Sequence, residues 1–345
     1  MREIQIYCLH PYCYDVNSTL EYMQLSFLLN KYKFIWNEDN PTFLIATEHI
    51  YSSPKYRKIF NKLYRKAEIT IFFSREAVSP DFNLFDYACS FDYGLTNEDR
   101  FIRLPGPIEL NPDFVKVTRN DIGTTAQAKS ELEKKKGFCN FLYSNPMAHP
   151  NRDKLFYLIS KYKQVDSLGR HLNNVGNKAL GYIGHELDSI SLKSNYKFSI
   201  SAENAAFAGY TSEKIVTSLI AHTVPIYFGD PCITDNFNPK CFINCADYKR
   251  LEDVVAAVRE IDNDDEKWCE MVSAPWQTEE QLRKAEQRQA DFRRRFIALF
   301  ESEVDTIKRR PQGTFVDGYV NQFVKHSVLR TNLLMRIKNR IKCWL

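Results

Sequence analysis

The chain reads as an α/β protein built of two parallel-sheet domains, and three observations predict this. Short apolar runs alternate with amphipathic stretches through most of the sequence, the rhythm of strand and helix in turn. At 345 residues the chain exceeds what one core usually fills, so two domains of roughly 150 residues are expected. Hydrophobic residues at 44% and charged residues at 26% are ordinary for a globular protein, which sets disorder aside.

In the first half, Glu3 to Cys8, Thr42 to Thr47 and Ile69 to Phe73 read as strands, with a basic helix over Pro54 to Lys66 between two of them. From about Lys116 to Gly137 the apolar periodicity lapses into a polar, charged stretch, which predicts a linker. A second β-α-β series follows. Phe138 to Tyr143, Tyr196 to Ala202 and Val224 to Gly229 read as strands, and Asp153 to Tyr162, Ser212 to His222 and Glu252 to Ile261 as helices. Thr278 with Gln281 forms a capping-box pattern opening a long helix through about Phe300. The domain boundaries expected are 1–137, 138–305 and a tail, 306–345.

The formal charge of +4 is too small to argue for nucleic acid. Nine scattered cysteines form neither a disulfide framework nor a zinc-type pattern, so a reducing compartment fits. The N-terminus enters an apolar strand without signal-peptide features, and no apolar run is long enough to span a bilayer. The expectation is a cytoplasmic protein, at most peripheral on the inner face of the cytoplasmic membrane. Val320 to Leu345 holds no acidic residue, and Leu329, Leu333, Ile337, Ile341 and Trp344 recur at helical spacing among basic residues. Such a tail suits an anionic membrane surface; a packing or dimer helix is the competing reading.

The chemistry points to Tyr196–Asp230. A strand ends in Glu203-Asn204, a small-residue loop follows, and Thr211 is placed to cap a helix with Ser212, Glu213 and Lys214 in its first turn. Helix N–H groups at the carboxyl edge of a parallel sheet attract phosphate. Lys214 adds the positive charge a diphosphate leaving group requires. Glu213 is repelled by phosphate, so it is read as accepting hydrogen bonds from sugar hydroxyls such as those of a ribose.

The wording of this segment, Glu203-Asn204, Tyr210, Glu213-Lys214, His222, Val224-Pro225 and Gly229, resembles the donor-binding signature of the α-1,3/4-fucosyltransferase family (glycosyltransferase family 10), closest to bacterial members that build Lewis-type antigens. The resemblance continues in SPDFNLFDYACSFD (79–92), SNPMAHPNRDKLF (144–156), VDSLGR (165–170) and FNPKCFIN (237–244). It implies a GT-B fold, two Rossmann-like domains facing across a cleft, the first receiving the acceptor and the second GDP-fucose. It places Arg152 and Lys214 on the diphosphate, Glu213 on the ribose, Asn204 and Tyr210 near the phosphates and fucose, and Ser144 and Asn145 in the nucleotide pocket. The general base resembles Glu76, with Glu48, Asp81 and Asp86 as rival carboxylates. Arg75 and Ala77 depart from the bacterial pattern, and an Arg75–Glu76 pair would weaken the base.

The implied reaction is an inverting transfer of L-fucose from GDP-fucose to N-acetylglucosamine of a lactosamine-type glycan, α-1,3 favoured over α-1,4, for bacterial surface polysaccharide. A transferase of another GDP-sugar and a non-catalytic glycan or nucleotide binder are the alternatives. Two cations and a helix N-terminus require no metal, which is expected to be stimulatory at most. Asp262 and Asp264 read as a solvated helix end, His222 as a packed histidine, His149 as a loop residue without a partner, and Cys241 and Cys245 as core thiols. Oligomeric state does not follow from the sequence.

Overall fold

A computed structural model describes residues 1–96, 99–110, 122–176 and 186–326. The chain divides into two compact units, Met1–Pro105 with Gln287–Leu345, and Gly106–Glu286. Each carries its own parallel sheet with helices, the expected α/β class of the GT-B type.

The first unit holds β1 (Arg2–Leu9), β2 (Tyr32–Trp36), β3 (Phe43–Ala46), β4 (Ile69–Phe73), β5 (Tyr87–Ser90) and β6 (Phe101–Arg103), in spatial order β2-β1-β3-β4-β5-β6 and all parallel. Every residue of β3 and β4 is buried, as expected where both sheet faces are covered, and this explains their unbroken apolar runs. The helix Pro54–Tyr64 starts with proline at its first turn and turns Phe60, Leu63 and Tyr64 inward. Its Arg57 is buried too, donating to the carbonyls of Ile50 at 2.9 Å and Tyr51 at 2.6 Å.

The second unit holds β7 (Gly137–Phe141), β8 (Val165–Ser167), β9 (Tyr196–Ala202), β10 (Val224–Phe228) and β11 (Ile243–Asn244), in order β11-β10-β9-β7-β8, again all parallel. In both sheets the strand order reverses once, at β1/β3 and at β7/β9. Loops leaving the carboxyl ends of such a pair turn opposite ways and leave a crevice, where ligands of open α/β sheets bind.

Two expectations are corrected. The stretch read as a linker carries the helix Thr125–Lys134, capped by Thr124 and packed by Ala128 into the core of the second unit. Its apolar face is short, Ala128 with Leu132 one turn further on. The last part of the chain is also no independent tail. Phe300 meets the rings of Phe34 and Phe43 at 5.6 and 5.0 Å, the backbone N–H groups of Arg309 and Arg310 donate to Asp86, and Val320 is fully buried among Phe60, Phe72 and Phe85. The helix Thr314–His326 is therefore a packing helix of the first unit. The amphipathic positions from Leu329 to Trp344 lie outside the described residues.

Candidate active site

The crevice at β7/β9 is lined by the loops that follow these two strands. After β7 the chain runs through Tyr143, the half-buried Ser144 and the exposed Asn145 into the helix Pro150–Ser160. Arg152, in its first turn, is completely buried. Its guanidinium donates to the carbonyl of Asn145 at 2.7 Å, reaches Asn204 Oδ1 at 3.5 Å and lies 4.6 Å from the centre of the Tyr143 ring. The Asn204 carbonyl in turn accepts the N–H of His149 at 2.8 Å. Arg152, Asn145 and Asn204 thus form one assembly stitching the two loops together. Ser144 precedes Asn145 in the same loop. His149 is not partnerless: its Nδ1 accepts from Asn151 at 3.2 Å and its ring lies 4.9 Å from Phe228.

After β9, Glu203 is buried and accepts both the N–H of Ser212 at 2.8 Å and its hydroxyl at 2.6 Å. Ser212 precedes the helix Glu213–Ile220. Thr211 does not cap this helix. Its hydroxyl donates instead to buried Asp230 at 3.0 Å, which also accepts from Gly209 N at 2.8 Å and so shapes the loop in which Tyr210 is 2% exposed. Lys214 Nζ sits 2.8 Å from Ser212 Oγ and 3.2 Å from both Glu203 and Glu213. Burial opposes its charge, but Glu203 and Glu213 outweigh this and hold the ammonium well above its usual range. Burial likewise opposes the charge on Glu213, whose pKa Lys214 nonetheless lowers.

Glycine is required once here. Gly229 has φ of +158°, and a Cβ on it would fall 2.4 Å from Glu203 Cγ. His222, at φ +51°, ends the helix in a left-handed turn with Nδ1 3.4 Å from Glu131. These two positions of the signature are thus structural.

Sequence reasoning missed Glu203, Asp230 and Tyr143. The first lies inside the matched run, yet a carboxylate at a strand end gives no local sign that it holds a lysine eleven positions on. Tyr143 accepts the N–H of Ala202 at 2.6 Å and joins β7 to β9.

At the carboxyl edge of the first sheet, Glu76 is exposed on the loop after β4, and Arg75 lies 5.8 Å from the centre of the Tyr22 ring. The rival carboxylates are otherwise occupied. Asp86 is fully buried on Thr70 and Arg310, Asp81 accepts from Asn83 N and Tyr319, and Glu48 accepts from Ser74. The β1/β3 crevice carries His10, stacked on Tyr22 at 4.1 Å, and Cys13, whose thiol is lowered to about 6 by hydrogen bonding with Cys8 first and His10 second, against burial. His10, Glu48 and His49 bring possible metal-ligand atoms within 4.8 Å of one another, but both Glu48 oxygens already serve His49 and Ser74.

Asp262 is not solvated. Its carboxylate is almost fully buried, paired with Lys163 at 3.1 Å and Lys197 at 3.3 Å, while Asp264 caps the helix Asp265–Ser273. Both members of this Asp-x-Asp string hold the fold. Cys241 and Cys245 are buried thiols, raised to about 12 by burial. Among the described residues no helix is long and apolar enough to cross a membrane.

Residues 132–308 match the family model described as glycosyltransferase family 10 (fucosyltransferase), C-terminal, and residues 12–108 match the N-terminal domain of alpha-(1,3)-fucosyltransferase FucT. A Helicobacter pylori alpha-(1,3)-fucosyltransferase is 28% identical over 263 residues, 68% of this chain and 52% of the relative, so the chain spans about half the length of that relative. The fold is shared with crystal structures of an alpha1,3-fucosyltransferase with GDP (22% identity, 90% of this chain and 93% of that one, TM-score 0.64) and with GDP-fucose (22%, 88% and 92%, 0.63).

Proposed function

Since the chain belongs to glycosyltransferase family 10, the fucosyltransferases, we propose that it transfers L-fucose from GDP-fucose, with inversion, to an N-acetylglucosamine hydroxyl of a lactosamine-type glycan. The observation that carries this reading is the β7/β9 switch point, where the loop after β7 leads to buried Arg152 and the loop after β9 to the helix bearing Lys214. Two fixed cations and the N–H groups of a helix end suit a diphosphate whose charge grows as it leaves. Holding Lys214 on Glu203 and Ser212 orders it before the reaction, so little reorganisation is needed when the bond breaks.

In this reading Glu213 turns to the ribose, Asn204 and Tyr210 border the phosphates and fucose, and Ser144 and Asn145 line the nucleotide pocket. Glu76 takes the proton of the acceptor hydroxyl as its oxygen attacks the anomeric carbon from the face opposite GDP, through an oxocarbenium-like transition state. Arg152 and Lys214 receive the leaving charge, so the scheme calls for no metal. The family supports α-1,3 linkage and a bacterial surface glycan. The basic, amphipathic spacing after His326 supports attachment to an anionic membrane surface.

The test is mass spectrometry of the protein with GDP-fucose and a panel of type 1 and type 2 lactosamine acceptors. One acceptor is expected to gain a deoxyhexose while GDP appears. Failure of GDP-fucose to bind would overturn the donor assignment.

A further inference from the structure

A continuous hydrogen-bond chain links the loops after β3 and β4 in the first unit. Ser74, the first residue beyond β4, is fully buried, and its N–H is tied to the carbonyl of Cys89 at 3.0 Å. Its hydroxyl donates to Glu48 Oε2 at 2.8 Å and accepts the backbone N–H of Glu76 at 3.1 Å. The second Glu48 oxygen lies 3.1 Å from His49 Nδ1. The turn bearing Glu48 is itself anchored, because Thr47 Oγ1 donates to the carbonyl of Leu9 at 3.0 Å.

The proton bookkeeping gives this chain a direction. Burial disfavours the Glu48 carboxylate, yet His49 and Ser74 overcome this and keep its pKa below the usual range, so it only accepts. A serine hydroxyl has one proton. Spent on Glu48, it leaves lone pairs facing the Glu76 N–H, and Glu76 holds its backbone place while its side chain stays exposed.

We propose that Glu48 is a positioning residue which, through Ser74, sets the backbone of Glu76 and hence the direction from which its carboxylate meets the acceptor hydroxyl. This inference rests on the reading of Glu76 as the base. Proton transfer is steep in geometry, since a base displaced by about 1 Å loses on the order of a hundredfold in rate.

The experiment is steady-state kinetics on Ser74→Ala and on Glu48→Gln, which keeps the volume of the side chain, with Glu76→Ala measured alongside. Expected is a fall in kcat of about 10–100-fold in both, with the KM for GDP-fucose within about twofold of the unsubstituted protein. A kcat that stays within twofold in Ser74→Ala overturns the inference. So does a donor KM that rises in step as kcat falls, because general damage to the fold moves both. Glu76→Ala separates the two readings: if it keeps its turnover, the base assignment fails and not the clasp alone.

Discussion

The two switch-point crevices share one topology and differ in charge. At β7/β9 lie a buried guanidinium held on Asn145 and Asn204 and an ammonium held by two carboxylates at a helix start. At β1/β3 the lining is His10, Tyr22, Cys13, Glu48 and His49, rings and hydrogen-bonding groups, with the Arg75 guanidinium 5.8 Å from the centre of the Tyr22 ring. Strand order therefore determines where a crevice forms, and side chains determine what enters it. The first suits an anionic leaving group and the second a neutral, hydroxyl-rich molecule.

Arg152 tests this contrast most severely. Its guanidinium serves Asn145 and Asn204 at once, which a lysine cannot copy. Arg152→Lys is expected to lose on the order of 10²–10³ in kcat/KM for GDP-fucose. Near-normal kinetics in this variant would show that charge alone matters there and the fork does not. Gly229→Ala drives a methyl into Glu203 and is expected to cost about 1–3 kcal/mol, read as a lower urea midpoint at unchanged m-value.

Lys193 offers a pH test. Its amine is buried against the helix Glu213–Ile220 on Thr217 Oγ1 at 2.7 Å and Ser218 Oγ at 3.0 Å, and burial lowers its pKa to about 7. Between pH 7 and the ordinary amine range the unfolded chain binds the extra proton, so stability contributed by this site rises with pH by up to about 1.4 kcal/mol per unit. Lys193→Met should remove that slope from urea unfolding measured at pH 7 and pH 9; an unchanged slope would assign it to other groups. The smallest effect is expected at β1/β3. His10→Ala should raise acceptor KM by about tenfold, the scale of one lost contact, and leave calorimetric GDP affinity unaltered.

Much of this architecture is legible in sequence where the determinant is local. Ile69–Phe73 and Tyr196–Ala202 carry the strand signal within five to seven residues and have the expected bounds. The Thr278–Gln281 box closes as read, with Thr278 N donating to Gln281 at 2.8 Å. Of the proposed donor residues, Arg152, Asn145 and Asn204 converge on one assembly, and Glu213 and Lys214 form a second on the neighbouring loop. What escapes a sequence reading is set by distant partners. The three-residue β8 is too short to show a period. Asp262 looks solvated until Lys163 and Lys197 arrive from other elements, and Thr211 looks like a cap until Asp230 claims its hydroxyl.

The return of the chain to its first unit has a temporal side. Arg2 on β1 donates to the carbonyls of Glu301 and Ser302, and Asp86 waits for Arg309 and Arg310. On the ribosome Gly106–Glu286 emerges as a continuous block, whereas the earlier-made Met1–Pro105 lacks its closing helices until the residues beyond Gln287 have followed it. The earlier-made unit is thus completed after the later-made one. A nascent chain that stops before Phe300 and Val320 have emerged leaves the apolar surface they cover open to holding chaperones.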